Sequence, residues 1–164
     1  TTALTLDTSQ NATFAGSVKP LSTSGIIGTT TNDNANAGSV GEYVSSTIAS
    51  TGTSLTSGSY VNVTSISLTA GDWDISGVCS FTSPGSPVIS YLNWGSSLTS
   101  ATAGSNGAMS SFSGGSVNIV DFSLPFPTFR YSLSTTTTIY FVARANWTTS
   151  TMSAYGSIRA RRMR

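Results

Sequence analysis

One lysine, Lys19, and one glutamate, Glu42, are all that these 164 residues hold of the two side chains from which exposed helix surfaces are usually built. Serine and threonine, roughly a third of the chain, stand in their place. Threonine suits a pleated surface and serine suits a turn, and both compete for backbone hydrogen bonds inside a helix. The chain is therefore expected to be all-β. At 16.8 kDa it has room for one ordinary domain and a short appendage.

Apolar spacing supports this. "YVNVTSISLT" alternates Val61, Val63, Ile66 and Leu68, with a phase change at Thr64 and Ser65 that marks a bulge. "AGD" reads as a turn into "WDISGVCSFT", so 60–82 is expected to form an antiparallel hairpin. "PVISYLNWG" is a third strand, and "SVNIVDFSL" and "TFRYSLS" are strands flanking "PFP". "TTIYFVARANWT" and "SAYGSIRARRM" close the chain. About seven or eight strands after residue 50, with no helix alternating between them, predict an antiparallel jelly-roll sandwich. The polar stretch 96–115 is expected as a long variable loop. One short helix is expected near 39–48, because Val40, Tyr43, Val44 and Ile48 share a helical face and Ser39 with Glu42 matches a capping box.

The first 38 residues differ. "LTLDTSQNATFAGSV" gives two short alternating segments around a turn, with too little apolar area to fold alone. Residues 21–38 are a polar strap broken only by Ile26 and Ile27. The boundaries expected are 1–38 for a shaft or connector and 39–164 for the main domain.

Composition excludes much chemistry. The chain has no histidine, so triads, Cys-His pairs and imidazole zinc sites are out of reach. Cys79, the single cysteine, cannot form an internal disulfide and is expected to pack as a small core hydrophobe. No phosphate loop and no calcium-type run of carboxylates occurs, and no metal or cofactor is expected. Asp72 and Asp74 are the one close carboxylate pair, a spacing that glycoside hydrolysis can use, although aspartate beside a turn has a structural use as well. A net charge of +1 gives no field for nucleic acid, and no apolar run is long enough to enter a membrane by itself.

Binding candidates remain. Trp94, Phe126 and Trp147 lie at strand ends or beside prolines, where a ring can stack on sugar or peptide, and Arg130 stands between Phe129 and Tyr131. Together Trp94, Phe126, Arg130 and Trp147 are the candidate receptor-binding set. Four of the seven cationic residues, Arg159, Arg161, Arg162 and Arg164, fall in the last six positions. On a strand, Arg162 and Arg164 share the face of Ile158 and Ala160, while Arg159 and Arg161 share the other. Arg144, inside an apolar strand, needs a carboxylate, a subunit contact or an anion. Arg144, Arg159 and Arg161 are thus the expected subunit-interface or anion-binding residues, with Asp72, Asp74 or Asp121 as partners across subunits.

The segments "LTLDTSQNATFAGSV", "GEYVSSTIAS", "SLTAGDWDISGV", "TTTTIYFVARANW" and "AYGSIRARRMR" together resemble the C-terminal receptor-binding tips of bacteriophage tail fibres and tail needles. Within that group, the turn "AGDWDI" and the strand "IYFVA" are similar to trimeric jelly rolls of the tumour necrosis factor and complement type. The resemblance implies a homotrimeric knob at the distal end of a phage tail. That knob would adsorb to a bacterial surface polysaccharide or outer-membrane protein and carry no catalytic centre. Two alternatives stay open: a needle tip that plugs the portal and pierces the envelope without a specific receptor, and a glycan hydrolase using Asp72 and Asp74.

Overall fold

The structure, a computed structural model, describes residues 4–19, 28–118 and 120–164; the side chains of 114–118 lie outside that description, as does the Ile26–Ile27 pair. The chain divides into two compact units, Thr1–Asp33 and Asn34–Arg164.

The first unit holds a hairpin of β1 (Leu4–Leu6) and β2 (Ala12–Phe14), in the register Leu4 opposite Phe14. Asp7 shapes its turn, accepting from the backbone N–H of Ser9 and Asn11 at 2.9 Å each and from the Asn11 amide at 2.8 Å. This is an aspartate turn of the kind the composition predicts. Leu4, Leu6, Phe14 and Val18 are all left exposed, from 47% to 67%.

The second unit is a sandwich of eight strands: β3 (Tyr43–Ser54), β4 (Val61–Leu68), β5 (Gly71–Thr82), β6 (Val88–Ser97), β7 (Met109–Asn118), β8 (Asp121–Leu133), β9 (Thr137–Thr148) and β10 (Ser153–Arg162). One sheet has the order β3-β10-β5-β8 and the other β4-β9-β6-β7, with every pairing antiparallel. Successive strands change sheets at every step except β6 to β7. That is the jelly-roll connection, and it confirms the expected fold class.

Alternation accounts for the core. Trp73, Ile75, Cys79 and Phe81 of β5 and Ala154, Ile158 and Ala160 of β10 face inward from one sheet. Leu92 and Trp94 of β6 and Ile139, Phe141, Ala143 and Ala145 of β9 meet them from the other. Phe81 and Trp94 contact edge to face across the sandwich at 5.8 Å, an arrangement worth about 1 kcal/mol beyond the area it buries. Cys79 is fully buried, which pushes its thiol well above the usual range, as befits a core hydrophobe.

Four expectations change. The helix near 39–48 is absent: β3 begins at Tyr43, and among the described residues the one helical turn is the 3-10 turn Asn106–Ala108. Val44 and Ile48 are four apart, a spacing that satisfies a strand as well as a helix, and they pair with β10 in register. Gly38 and Gly41, at φ 87° and 91°, break any helical start, so the Glu42 carboxylate accepts from Gly38 N–H at 2.8 Å instead of closing a capping box.

The hairpin expected over 60–82 is a corner between sheets, since β4 pairs with β9 while β5 pairs with β10 and β8. Each of the two strands has a buried face, and the pair lines the core from opposite sides. A bulge in β4 does occur, but between Asn62 and Thr64, just before the expected Thr64–Ser65 step, which is in regular register. The 96–115 stretch is loop only in part, because β6 runs to Ser97 and β7 starts at Met109. Finally, Pro125-Phe126-Pro127 does not separate two strands but lies inside β8. β8 is an edge strand, where a missing N–H costs little, and it bulges so that Pro127 and Thr128 together oppose Ser76.

Candidate binding surface

The sandwich unit carries six arginines and four carboxylates, Glu42, Asp72, Asp74 and Asp121. Three arginines are neutralised within the chain. Arg130 grips Asp72 with two bonds, Nε to Oδ1 at 2.6 Å and Nη2 to Oδ2 at 2.8 Å, and Arg164 reaches the same carboxylate at 2.9 Å. Hydrogen bonding from Arg130 holds the Asp72 carboxyl below its usual range.

Arg162 points into the sandwich end and is only 5% exposed. Its Nε donates to Glu42 at 2.9 Å, its Nη1 to the Ala70 carbonyl at 2.9 Å, and its Nη2 to the Thr69 hydroxyl at 2.5 Å. The alternation along β10 placed Arg162 on the inward face, so this seat was legible. Its partners were not.

Among the described residues, Arg144, Arg159 and Arg161 form no ion pair. Arg159 and Arg161 project from the outer face of the β10 sheet. In the ladder Arg161 stands between Tyr43 of β3 and Asp74 of β5, and Arg159 between Ser45 and Ser76. Together with Tyr43, Asp74, Ser76 and Thr128 they line a shallow hollow of about 260 Å³. The Ser76 hydroxyl accepts from Arg159 Nε at 3.1 Å, and the terminal nitrogens of Arg159 have no hydrogen-bond partner among the described residues. The Arg161 guanidinium lies 5.7 Å from the centre of the Tyr43 ring, with one weak bond to the Gly41 carbonyl at 3.5 Å. The β8 bulge brings Thr128 to this rim.

Arg144 lies on the outer face of the other sheet. Its guanidinium is 5.7 Å from both the Tyr60 and Tyr91 rings. Its Nε, and the neighbouring Asn146 Oδ1, are shielded from solvent without a hydrogen-bond partner among the described residues. The sequence singled out Arg144 but not the two tyrosines, which come from other strands and turns.

The candidate receptor-binding set is not brought together. Trp94 and Phe126 are core residues, 1% and 3% exposed, which corrects the expectation that their rings are available for stacking. Trp94 donates from Nε1 to the Pro125 carbonyl at 3.2 Å. Phe126 turns inward over Gly77, where an added Cβ would sit 2.4 Å from the ring, and packs on Phe141 at 5.5 Å. Prolines on an edge strand do not force a ring into solvent, which is why their signal misled. Trp147 is half-buried, its Nε1 donating to the Ser150 carbonyl at 3.4 Å. Arg130 is more than half exposed but is committed to Asp72. Asp72, held by two arginines, is not placed to trade a proton with a glycosidic oxygen.

No protein-family model matches the sequence, and no curated protein matches it. Among solved structures the chain is similar to a chain of the infectious bursal disease virus Gx strain, with TM-score 0.48 and 15% identity over 74% of this chain and 32% of that one. It is also similar to the VP2 subviral particle of infectious bursal disease virus, with TM-score 0.45 and 14% identity over 73% of this chain and 32% of that one. The Gt strain of the same virus gives TM-score 0.44 and 15% identity over 96% and 41%. The chain spans about a third of the length of the first two of these.

Proposed function

We propose that the chain is a non-catalytic attachment module of a virion, the tip of a phage tail fibre or needle that holds to the bacterial surface. The observation that carries this reading is the side-by-side placement of Arg159 and Arg161 on an open sheet face, with no carboxylate among the described residues bonded to either. Uncommitted guanidinium groups beside a ring and hydroxyls make a surface for an anionic partner. The engagement of Asp72 by Arg130 and Arg164 favours binding over hydrolysis.

The module works as a homotrimer, with residues 1–38 entering a shared shaft and 39–164 forming the knob. Two features favour self-association. The hairpin at residues 4–14 exposes its apolar side chains, which copies of the same ribbon would cover. Arg144, held between the Tyr60 and Tyr91 rings, has no ion pair among the described residues, and a carboxylate of a neighbouring copy docked on that sheet would supply one. Sedimentation of the full chain, together with binding of the labelled protein to bacterial cells, tests the reading. The expected result is a mass near three times 16.8 kDa and saturable binding to permissive cells. A folded monomer that binds no strain overturns it.

A further inference from the structure

We infer that the hollow lined by Tyr43, Asp74, Ser76, Thr128, Arg159 and Arg161 is a subsite for one acidic sugar residue, a pyranose bearing a carboxylate, within a surface polysaccharide. The inference rests on the attachment reading and names its ligand.

The lining is mixed in a way that selects among anions. Arg159 and Arg161 stand two residues apart on one face of β10, about 7 Å between their Cα atoms by strand geometry. The terminal nitrogens of Arg159 and Arg161, of which only Arg161 Nη1 has a partner, the weak bond to the Gly41 carbonyl, suit a single carboxylate or phosphate. Asp74 lines the same hollow and makes no hydrogen bond or ion pair among the described residues, although it stands opposite Arg161 and Arg130 in the ladder. A carboxylate left open beside two guanidinium groups repels a polyanion. It is, however, a strong acceptor for hydroxyl donors. Ser76 and Thr128 add two groups that donate or accept, and Tyr43 adds an aromatic face.

The ligand that complements two cationic forks, one anionic acceptor, two hydroxyls and a ring carries one negative group, several O–H donors and a C–H face. An acidic pyranose has all three. A phosphodiester chain has the charge without the donors, and Asp74 stands against it. Net charge agrees, since no basic stripe continues from the hollow to track a nucleic acid.

Size agrees too. About 260 Å³ falls below the roughly 300–1,000 Å³ of sites that enclose a drug-sized molecule, and it admits one sugar ring. The hollow is open on a sheet face, so a chain can enter and leave it at both ends.

The test is titration calorimetry on the full chain with three probes: a trimer of galacturonic acid, its methyl ester and glucose 6-phosphate. The ester keeps the sugar ring and its hydroxyls and caps each carboxylate with a methyl group, which removes the charge. The expected result is binding of the acid that weakens with salt, with the ester and the phosphate each weaker by about ten- to hundredfold, the worth of one hydrogen bond to a charged group. Arg159→Gln and Arg161→Gln each lose affinity by a similar factor. Lys19→Gln, which removes an exposed cation of the first unit, binds as the parent does. Equal binding of acid and ester, tighter binding of the phosphate, or unchanged affinity in both hollow variants overturns the proposal. So does a fall in solution mass in those variants with sugar binding intact, which would make the hollow a contact between copies. Saturable cell binding with no affinity for the acid sinks this inference and leaves attachment standing. Affinity for the acid without cell binding does the reverse.

Discussion

The guanidinium carbon of Arg162 lies 4.3 Å from the centre of the Trp73 ring. Arg162 also ties Glu42, Thr69 and Ala70 to the last strand, so one side chain closes that end of the sandwich. Arg162→Ala leaves Glu42 mostly buried without its partner and removes the ring contact. The expected loss is about 3 kcal/mol, read as a lower denaturation midpoint at unchanged m-value. Arg162→Lys recovers little, because three donors at fixed angles are needed. Arg161→Ala, on the outward face, stays within about 0.5 kcal/mol of the parent.

Stability is expected to be level between about pH 5 and pH 8 and to fall only in acid. The chain has no histidine, and burial drives Cys79 upward, out of that window. Arg130 holds Asp72 below its ordinary 3.8, and the Gly38 N–H, with Arg162 behind it, holds Glu42 below its ordinary 4.5. A depressed folded value means the contribution is complete above the ordinary one and is lost as pH falls through the lower one. Urea midpoints taken from pH 8 to pH 2 check this. Asp72→Asn should be less stable at pH 7 and show a shallower acid decline; an equal decline would show that the Arg130 pair contributes nothing.

Gly77 is a position where no side chain fits. An added Cβ would stand 2.2 Å from the Ser157 carbonyl oxygen and 2.4 Å from Phe126. Gly77→Ala therefore forces β10 and β8 apart on either side of β5, at a cost of about 1–3 kcal/mol. Because β8 carries the bulge that sets Thr128 on the rim, the variant should also weaken acidic-sugar binding in calorimetry while remaining folded by far-UV circular dichroism. Undiminished stability would mean the edge strand relaxes freely.

How legible this was depended on the range of the interaction. Period-two runs such as Ile139, Phe141, Ala143 and Ala145 are local, and they gave the strands and the core directly. The alternation along β10 separated outward Arg159 and Arg161 from inward Arg162 for the same reason. Strand partners are not local. Nothing in "SLTAGDWD" distinguishes a hairpin turn from a corner between sheets, because both need a glycine and a polar pair. Val44 and Ile48 fit two periods at once, and only pairing with β10 chose between them. The hollow was half visible for this reason: its arginines follow from one strand, whereas Tyr43, Ser76 and Thr128 arrive from three others.

Arg144 offers the sharpest separation of the two outer faces. Its guanidinium is held between Tyr60 and Tyr91, and its Nε is shielded with no acceptor among the described residues. A shielded, unpaired donor costs about 1–3 kcal/mol, whereas two ring contacts at exposed sites return about 0.5–1 kcal/mol each. The arrangement is therefore close to neutral in a lone chain and becomes favourable once a carboxylate from another copy reaches the terminal nitrogens of the guanidinium. Arg144→Glu sets a carboxylate against both rings and is expected to lower the sedimenting mass toward 16.8 kDa while the sandwich stays folded. Arg159→Gln, on the opposite sheet, should leave the mass unchanged. If Arg144→Glu sediments as the parent does, the copies meet elsewhere.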